Sequence, residues 1–219
     1  MKAEEIRKSF IEFFRENGHQ VVDSSSLVPA DPTVLFTSAG MQQFVPYLRG
    51  QAAPPYRRAC SVQKCFRTSD VEEVGDEFHH TFFEMLGNWS FGDYFKEKAI
   101  AMALELLVDQ YHLAKDRLWV TIFKGLPAEA MDKVRPCPSL FAGEAKRNII
   151  PLDSEAKKFW LANGIPEQRI KEFGSDSNFW GPVGSTGPCG PCSEIHYDRG
   201  PEFQKKKCTL PNCGPNCGC

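Results

Sequence analysis

The chain has 219 residues, 42% of them apolar and 25% charged, which describes one sizeable globular core with room for a small appendage and excludes a disordered polymer. Its 26 basic and 28 acidic side chains leave a net charge of -2, so composition offers no general basic footprint for nucleic acid. The opening stretch MKAEEIRKSFIEFFRENG lacks a signal peptide's apolar block, and no run nears the ~20 apolar residues of a membrane span, so a cytoplasmic chain without a membrane partner is expected.

In chain order, Ile6, Phe10, Phe13 and Phe14 fall on one helical face, and Gly18 sits where that helix would stop. Val21-Val22 and Leu27-Val28 read as strand, Pro29 and Pro32 forbid a helix there, and Val34-Leu35-Phe36 begins another apolar run that ends at Ser38-Ala39-Gly40. Pro54-Pro55-Tyr56-Arg57-Arg58 is a stiff lead-in whose two arginines would meet phosphate or, more ordinarily, form a solvated face.

The stretch from Ser61 to Lys96 organises the rest. An apolar strand carrying Lys64 and Arg67 leads into an acidic turn, Thr68 to Phe78, and a return strand, His79 to Leu86, dense in aromatics. Such a hairpin brings a cation and a flat ring into one cleft, a pairing that suits a nucleotide's phosphate and base. The plainer alternative is an ordinary hairpin with Phe82 and Phe83 in the core and Arg67 in a surface ion pair.

Phe95 to Tyr111 predicts a helix with Ile100, Ala103, Leu104 and Leu107 along a stripe, followed by a continuous apolar strand, Leu118 to Phe123. Together these imply an α+β fold on a mainly antiparallel sheet. Prolines at 127, 136, 138 and 151 read as loop around a short helix, Ala128 to Val134, with Cys137 idle. Ser154 to Asn163 predicts a helix with Ser154 as N-cap and Gly164 as its stop.

Repeated Gly-Pro pairs from Ser175 to Gly200 build a rigid pocket wall until Glu194-Ile195-His196-Tyr197 alternates like a strand. Nine cysteines in a reducing compartment are expected as thiols or metal ligands before disulfides. Cys189 and Cys192 read as half a metal site or, less readily among prolines, a redox pair. Cys208, Cys213, Cys217 and Cys219 in the tail suit a tetrahedral Zn2+, with free thiols or a disulfide as the alternative.

Phe66-Arg67, an acidic loop, then His79 followed four residues later by Phe83 resembles motif 2 of class II aminoacyl-tRNA synthetases. The run HHTFFEMLGNWSFGDYFK, His79 to Lys96, is similar to the alanyl-tRNA synthetase family within that class, as is the GPCGPC wording around Cys189 and Cys192. The resemblance implies a class II synthetase-like antiparallel sheet flanked by helices, incomplete at its C-terminus, with residues 1-200 a partial catalytic domain and 201-219 a cysteine-rich tail. It further implies ATP, Mg2+, alanine and tRNA(Ala) as substrates, cofactor and partner.

Carried over by position, Arg67 would hold the α-phosphate, Phe83 would stack on adenine, and His79 would face the nucleotide. Trp180 would wall the alanine pocket, Glu194 would bind magnesium or the substrate ammonium or else make a structural hydrogen bond, and Pro29 would be the scaffold proline of motif 1. The resemblance gives no support to zinc in the tail. The turn before His79 is shorter and more acidic than the family's commoner form, and the sequence stops before any GLGLER-like motif 3, so the isolated chain is expected to be feeble and to need a downstream piece carrying that motif. The competing expectations are a non-enzymatic nucleotide- or RNA-binding module and a zinc-stapled interaction domain.

Overall fold

The computed structural model describes residues 1-69, 71-76, 79-126, 150-181, 187-203 and 214-215. They fall into two compact units, one on Met1-Phe95 with Pro182-Pro188 and one on Lys96-Gly181 with the chain from Cys189.

The first unit opens with α1 (Ala3-Glu16), which buries Phe10, Phe13 and Phe14 as the stripe predicts. Glu5 accepts a hydrogen bond from the Lys2 amide at 2.6 Å, and Glu4 and Glu5 place negative charge at the helix N-terminus, where the dipole favours it. Gly18 ends the helix at φ +78°, a left-handed conformation that glycine adopts without strain.

Three strands follow in the order β1 (Gln20-Val21), β2 (Arg58-Phe66) and β3 (Phe82-Ser90), with a short helix, α2 (Val45-Leu48), in the connection. β1 runs parallel to β2, and β3 antiparallel in a register from Arg58↔Ser90 to Phe66↔Phe82. Alternation places Ala59, Ser61, Gln63 and Cys65 on one face with Phe83, Met85, Gly87 and Trp89. The other face carries Cys60, Val62 and Glu84, and Glu84 pairs with Arg7 of α1 at 2.6 Å. Gly87 has a packing reason, because a Cβ there would meet Trp89 Cη2 at 2.3 Å.

Two stretches differ from their sequence reading. Neither Leu27-Val28 nor Val34-Phe36 forms a strand. Asp31 caps its own turn instead, accepting from the Thr33 amide at 2.9 Å, and the Thr37 amide donates to the Leu27 carbonyl at 2.8 Å. The return strand starts at Phe82, three residues later than expected, because the ladder begins opposite Phe66 and His79 is held in the turn by Asp76.

The second unit begins with α3 (Lys96-Leu104), which widens into a π-helical segment, Glu105-Gln110. Its sheet has the order β5-β4-β8, with β4 (Leu118-Phe123) parallel to β5 (Ile170-Phe173) and antiparallel to β8 (Glu194-Tyr197). Between them lie α4 (Ser154-Ala162), α5 (Ser175-Asn178) and a two-stranded ribbon, β6 (Phe179-Trp180) with β7 (Gly190-Pro191). The core joins Ile100 and Leu104 of α3, Leu118, Val120 and Ile122 of β4, and Ala156 and Trp160 of α4. The N-cap of α4 is Asp153, not Ser154: its carboxylate accepts from the Ala156 amide at 3.0 Å and from Lys96 Nζ at 2.7 Å, and its negative charge makes the second contact an ion pair. The architecture is mixed α/β with antiparallel-rich sheets, the α+β class expected.

Burial sets an alkaline limit on this fold. It pushes the Cys60 thiol up to about 11 from 9.0, and the Tyr94 hydroxyl up to about 12 from 10.0 despite the nearby Arg58 guanidinium. Above pH 9 the unfolded chain therefore binds fewer protons than the folded one, so stability is complete below pH 9 and falls as pH rises toward 12. Unfolding free energies from urea titrations across that range should fall, by on the order of 1-3 kcal/mol in total. Cys60→Ala should flatten the lower part of the decline, and a flat wild-type profile would contradict this account.

Candidate functional site

Arg67 lies one residue beyond β2, and its amide donates to the Thr81 carbonyl at 2.8 Å, which extends the hairpin pairing past the ladder's end. Because Cys65 pairs with Phe83, Arg67, two residues on, projects to the same face as that ring. Its guanidinium carbon sits 5.1 Å from the Phe83 centroid. Among the described residues Arg67 makes no ion pair with a carboxylate, and Phe82 is 51% exposed, so Phe82 does not sit in the core as the ordinary-hairpin alternative would have it.

The two groups touch instead of facing one another across an open gap. A partly exposed cation-π contact is worth about 0.5-1 kcal/mol. A charge-assisted contact from the same guanidinium to phosphate is roughly twice as strong as a neutral hydrogen bond, so an entering nucleotide can take the arginine on its phosphate and the vacated ring face on its base.

Arg67 is aimed by residues that sequence reading missed. Its Nε donates to the Ser38 carbonyl at 3.0 Å. Ser38 is fixed in turn by Gln42, whose Oε1 accepts from the amides of Ser38 and Ala39. Nearby, the fully buried Gln63 accepts from the Ser25 amide at 2.8 Å and from Gln43 Nε2 at 3.1 Å, tying the loop to the sheet face. The readable signal was Gln63 itself, a polar residue at an inward position of an apolar strand, which has to find partners when buried.

His79 spends both ring nitrogens on the acidic turn. Nδ1 lies 2.7 Å from Asp76 Oδ2 and Nε2 lies 3.0 Å from Glu73 Oε2, while its amide donates to Asp76 Oδ1 at 2.7 Å. The acidic residues between Arg67 and His79 thus clasp the turn that the strands need.

Trp180 and Glu194 belong to the second unit. Trp180 pairs with Gly190 in the ribbon and is 41% exposed, while neighbouring Phe179 packs on Phe123 with ring centroids 5.6 Å apart. Buried Asn178 donates to Thr121 Oγ1 at 2.9 Å and to the Cys192 carbonyl at 3.0 Å. Trp160 Nε1 donates to Ser193 Oγ at 2.8 Å, and that hydroxyl donates to the Thr121 carbonyl at 2.7 Å. These bonds fix the backbone just before Glu194, which pairs with Thr121 across the sheet and is exposed.

Glu194 Oε1 lies 3.7 Å from Cys192 Sγ and Oε2 lies 3.5 Å from His196 Nε2. Burial, reinforced by the Glu194 charge, pushes the Cys192 thiol up to about 11, which leaves it a poor nucleophile near neutral pH. Cys192 is free while Cys189 is disulfide-bonded. The two are therefore neither a redox pair with each other nor both the reduced thiols that the compartment argument expects. Among the described residues no three His, Cys, Asp or Glu side chains are grouped to hold a metal ion. Cys208, Cys213, Cys217 and Cys219 lie outside the described residues, as do Cys137 and the expected helix from Ala128 to Val134.

The profile of the family described as tRNA synthetases class II (A) matches residues 5-216. The alanine–tRNA ligase of Rubrobacter xylanophilus is 53% identical over 204 residues, which cover 93% of this chain and 21% of that protein. The alanine–tRNA ligase of Leptospira biflexa is 48% identical over 220 residues, covering 99% of this chain and 21% of its own length. That of Dehalococcoides mccartyi is 45% identical over 218 residues, 99% of this chain and 22% of the relative. The chain thus spans about a fifth of the length of these relatives. A match across almost every residue, containing a hairpin that sets a guanidinium over a phenyl ring on one face, means that the chain belongs to the class II (A) tRNA synthetases.

Proposed function

We propose that the chain is the N-terminal part of the catalytic domain of an alanine–tRNA ligase, which joins alanine to ATP and passes the alanyl group to the 3' end of tRNA(Ala). The observation that carries this reading is the Arg67 guanidinium 5.1 Å from the Phe83 ring on a shared sheet face. In the first step the alanine carboxylate attacks the α-phosphorus in line, and pyrophosphate leaves with the electron pair of the broken P–O bond. The terminal ribose hydroxyl of the tRNA then attacks the alanyl carbonyl, loses its proton, and AMP departs.

Charge builds on the phosphoryl oxygens in the first step, where Arg67 donates to the α-phosphate while Phe83 takes the adenine face. His79 acts through the turn, and Trp180 walls the alanine pocket. Mg2+, when bound, neutralises phosphate charge. The exposed Glu194 carboxylate suits it, since this ion is held by one or two carboxylates together with substrate phosphates, and Glu194 is equally suited to the alanine ammonium.

Alanine-dependent exchange of pyrophosphate into ATP tests the reading, first with this chain and then with the chain joined to the downstream part of a relative. Exchange by the joined protein supports it. ATP binding that depends on Arg67 with no exchange in either form would replace it with a nucleotide-binding module.

A further inference from the structure

The loop whose Ser38 anchors Arg67 also walls a cavity that the proposed reaction does not use. Its volume is about 660 Å³, a size that suits a small molecule. Val28, Pro29, Pro32, Val45 and Pro46 give it apolar walls, and Asp31, Gln42 and Arg49 bring polar groups to it.

These polar groups select the ligand. The Asp31 carboxyl is held below the usual carboxylate range by hydrogen bonds from the Thr33 hydroxyl and amide, with the Arg49 charge adding to them. A carboxylate and a guanidinium on one cavity leave little net field to favour an anion or a cation, and a full charge would shed its water against valine and proline. Gln42 supplies the unmet group. Its Oε1 accepts from the Ser38 and Ala39 amides, which fixes which end of the side chain is oxygen, while its Nε2 is buried without a hydrogen-bond partner. A buried donor left unmet is costly, so a ligand that brings an acceptor gains most here.

We propose that this cavity binds a small, net-neutral carbonyl compound, an amide or lactam on an apolar body, whose oxygen accepts from Gln42 Nε2 and so acts on the placement of Arg67. Nε2 is sealed from solvent, and the terminal amide has to turn to meet the ligand; glutamine's last torsion has a broad well that permits this. Turning it moves Oε1 against the Ser38 and Ala39 amides, and the Ser38 carbonyl is the acceptor that holds Arg67 Nε at 3.0 Å. The binding is independent of the ligase reading, and only a resulting change in reaction rate would rest on it.

The test is an NMR titration of the full chain, labelled with nitrogen-15, with four probes that share one branched apolar body: isovaleramide, isovalerate, isopentylamine and L-leucine. Isovaleramide should give saturable shifts at the Gln42 side-chain amide, the Ser38 and Ala39 backbone amides and the Arg67 Nε–H. Isovalerate, isopentylamine and L-leucine should each bind at least tenfold more weakly. Gln42→Glu keeps an oxygen for the Ser38 and Ala39 amides but turns the donor into an acceptor, so it should weaken isovaleramide at least tenfold. Val28→Trp fills the cavity from a position that is 70% exposed, which spares the core, and should abolish binding with the rest of the spectrum unchanged. Absence of a saturable shift at Gln42, equal binding by Gln42→Glu or Val28→Trp, or a charged or zwitterionic probe that matches the amide overturns the proposal. Loss of probe binding as protein concentration rises, with dimers seen by light scattering, gives the cavity to a second copy and overturns it too. Binding that leaves the Arg67 Nε–H unmoved overturns the link to Arg67. None of these spectra depends on pyrophosphate exchange, so the two readings fail separately.

Discussion

Arg67→Ala should lower alanine-dependent pyrophosphate exchange by about 10²-10³ in a protein that joins this chain to the downstream part of a relative, the loss typical when one preorganised donor to developing charge is removed. The effect should fall on the rate more than on folding. Arg67 lies beyond the end of β2, and among the described residues its side chain gives the fold one hydrogen bond, to the Ser38 carbonyl, and one ring contact, with Phe83. Arg67→Lys should recover little, because an ammonium cannot hold that carbonyl through one nitrogen while offering a planar pair of donors to phosphate. Exchange at the wild-type rate in Arg67→Ala would remove the nucleotide role from this hairpin, whatever its likeness to the family.

Trp160→Ala should cost the second unit ~3-5 kcal/mol, read as a fall in the urea or thermal midpoint. The indole is 2% exposed and packs among Ile100, Leu118, Val120 and Ile122, so truncation leaves a cavity in the middle of that core. It also removes the donor that holds Ser193 against the Thr121 carbonyl, the bond that seats β8 and with it Glu194. Trp160→Phe keeps most of the volume and loses only the hydrogen bond, so it should cost about 1 kcal/mol. Equal losses in the two variants would show that the hydrogen bond, and not the packing, carries the residue's weight.

Much of the fold was legible from spacing. The phenylalanine stripe of α1 and the uninterrupted apolar run of β4 name their own elements, because period 3.6 and short apolar runs bounded by glycine and proline are local signals. The hairpin was legible in kind but not in extent: alternation announces a strand, whereas its first residue depends on where the partner's ladder ends. Within the site, Arg67 and Phe83 were picked out by the resemblance to motif 2, and the register that pairs Cys65 with Phe83 is what puts them on one face. His79 shows the limit. A histidine four residues before a phenylalanine looks directed at the same ligand, yet its nitrogens bond to Asp76 and Glu73, three and six positions back.

Sequence by itself determined the helices α1, α3 and α4, the hairpin in kind and the strand β4, and which family the wording belongs to. Tertiary structure decided what each polar group bonds to. Asp153 caps α4 and also holds Lys96, 57 positions away; Gln63 reaches back 38 positions to Ser25; and Trp160 finds Ser193, 33 positions on. Periodicity is written in neighbouring residues and survives without the rest of the chain. The partner of a buried donor depends on the register and packing of segments far apart in sequence, and a buried donor must be satisfied by whatever group the fold brings within about 3 Å.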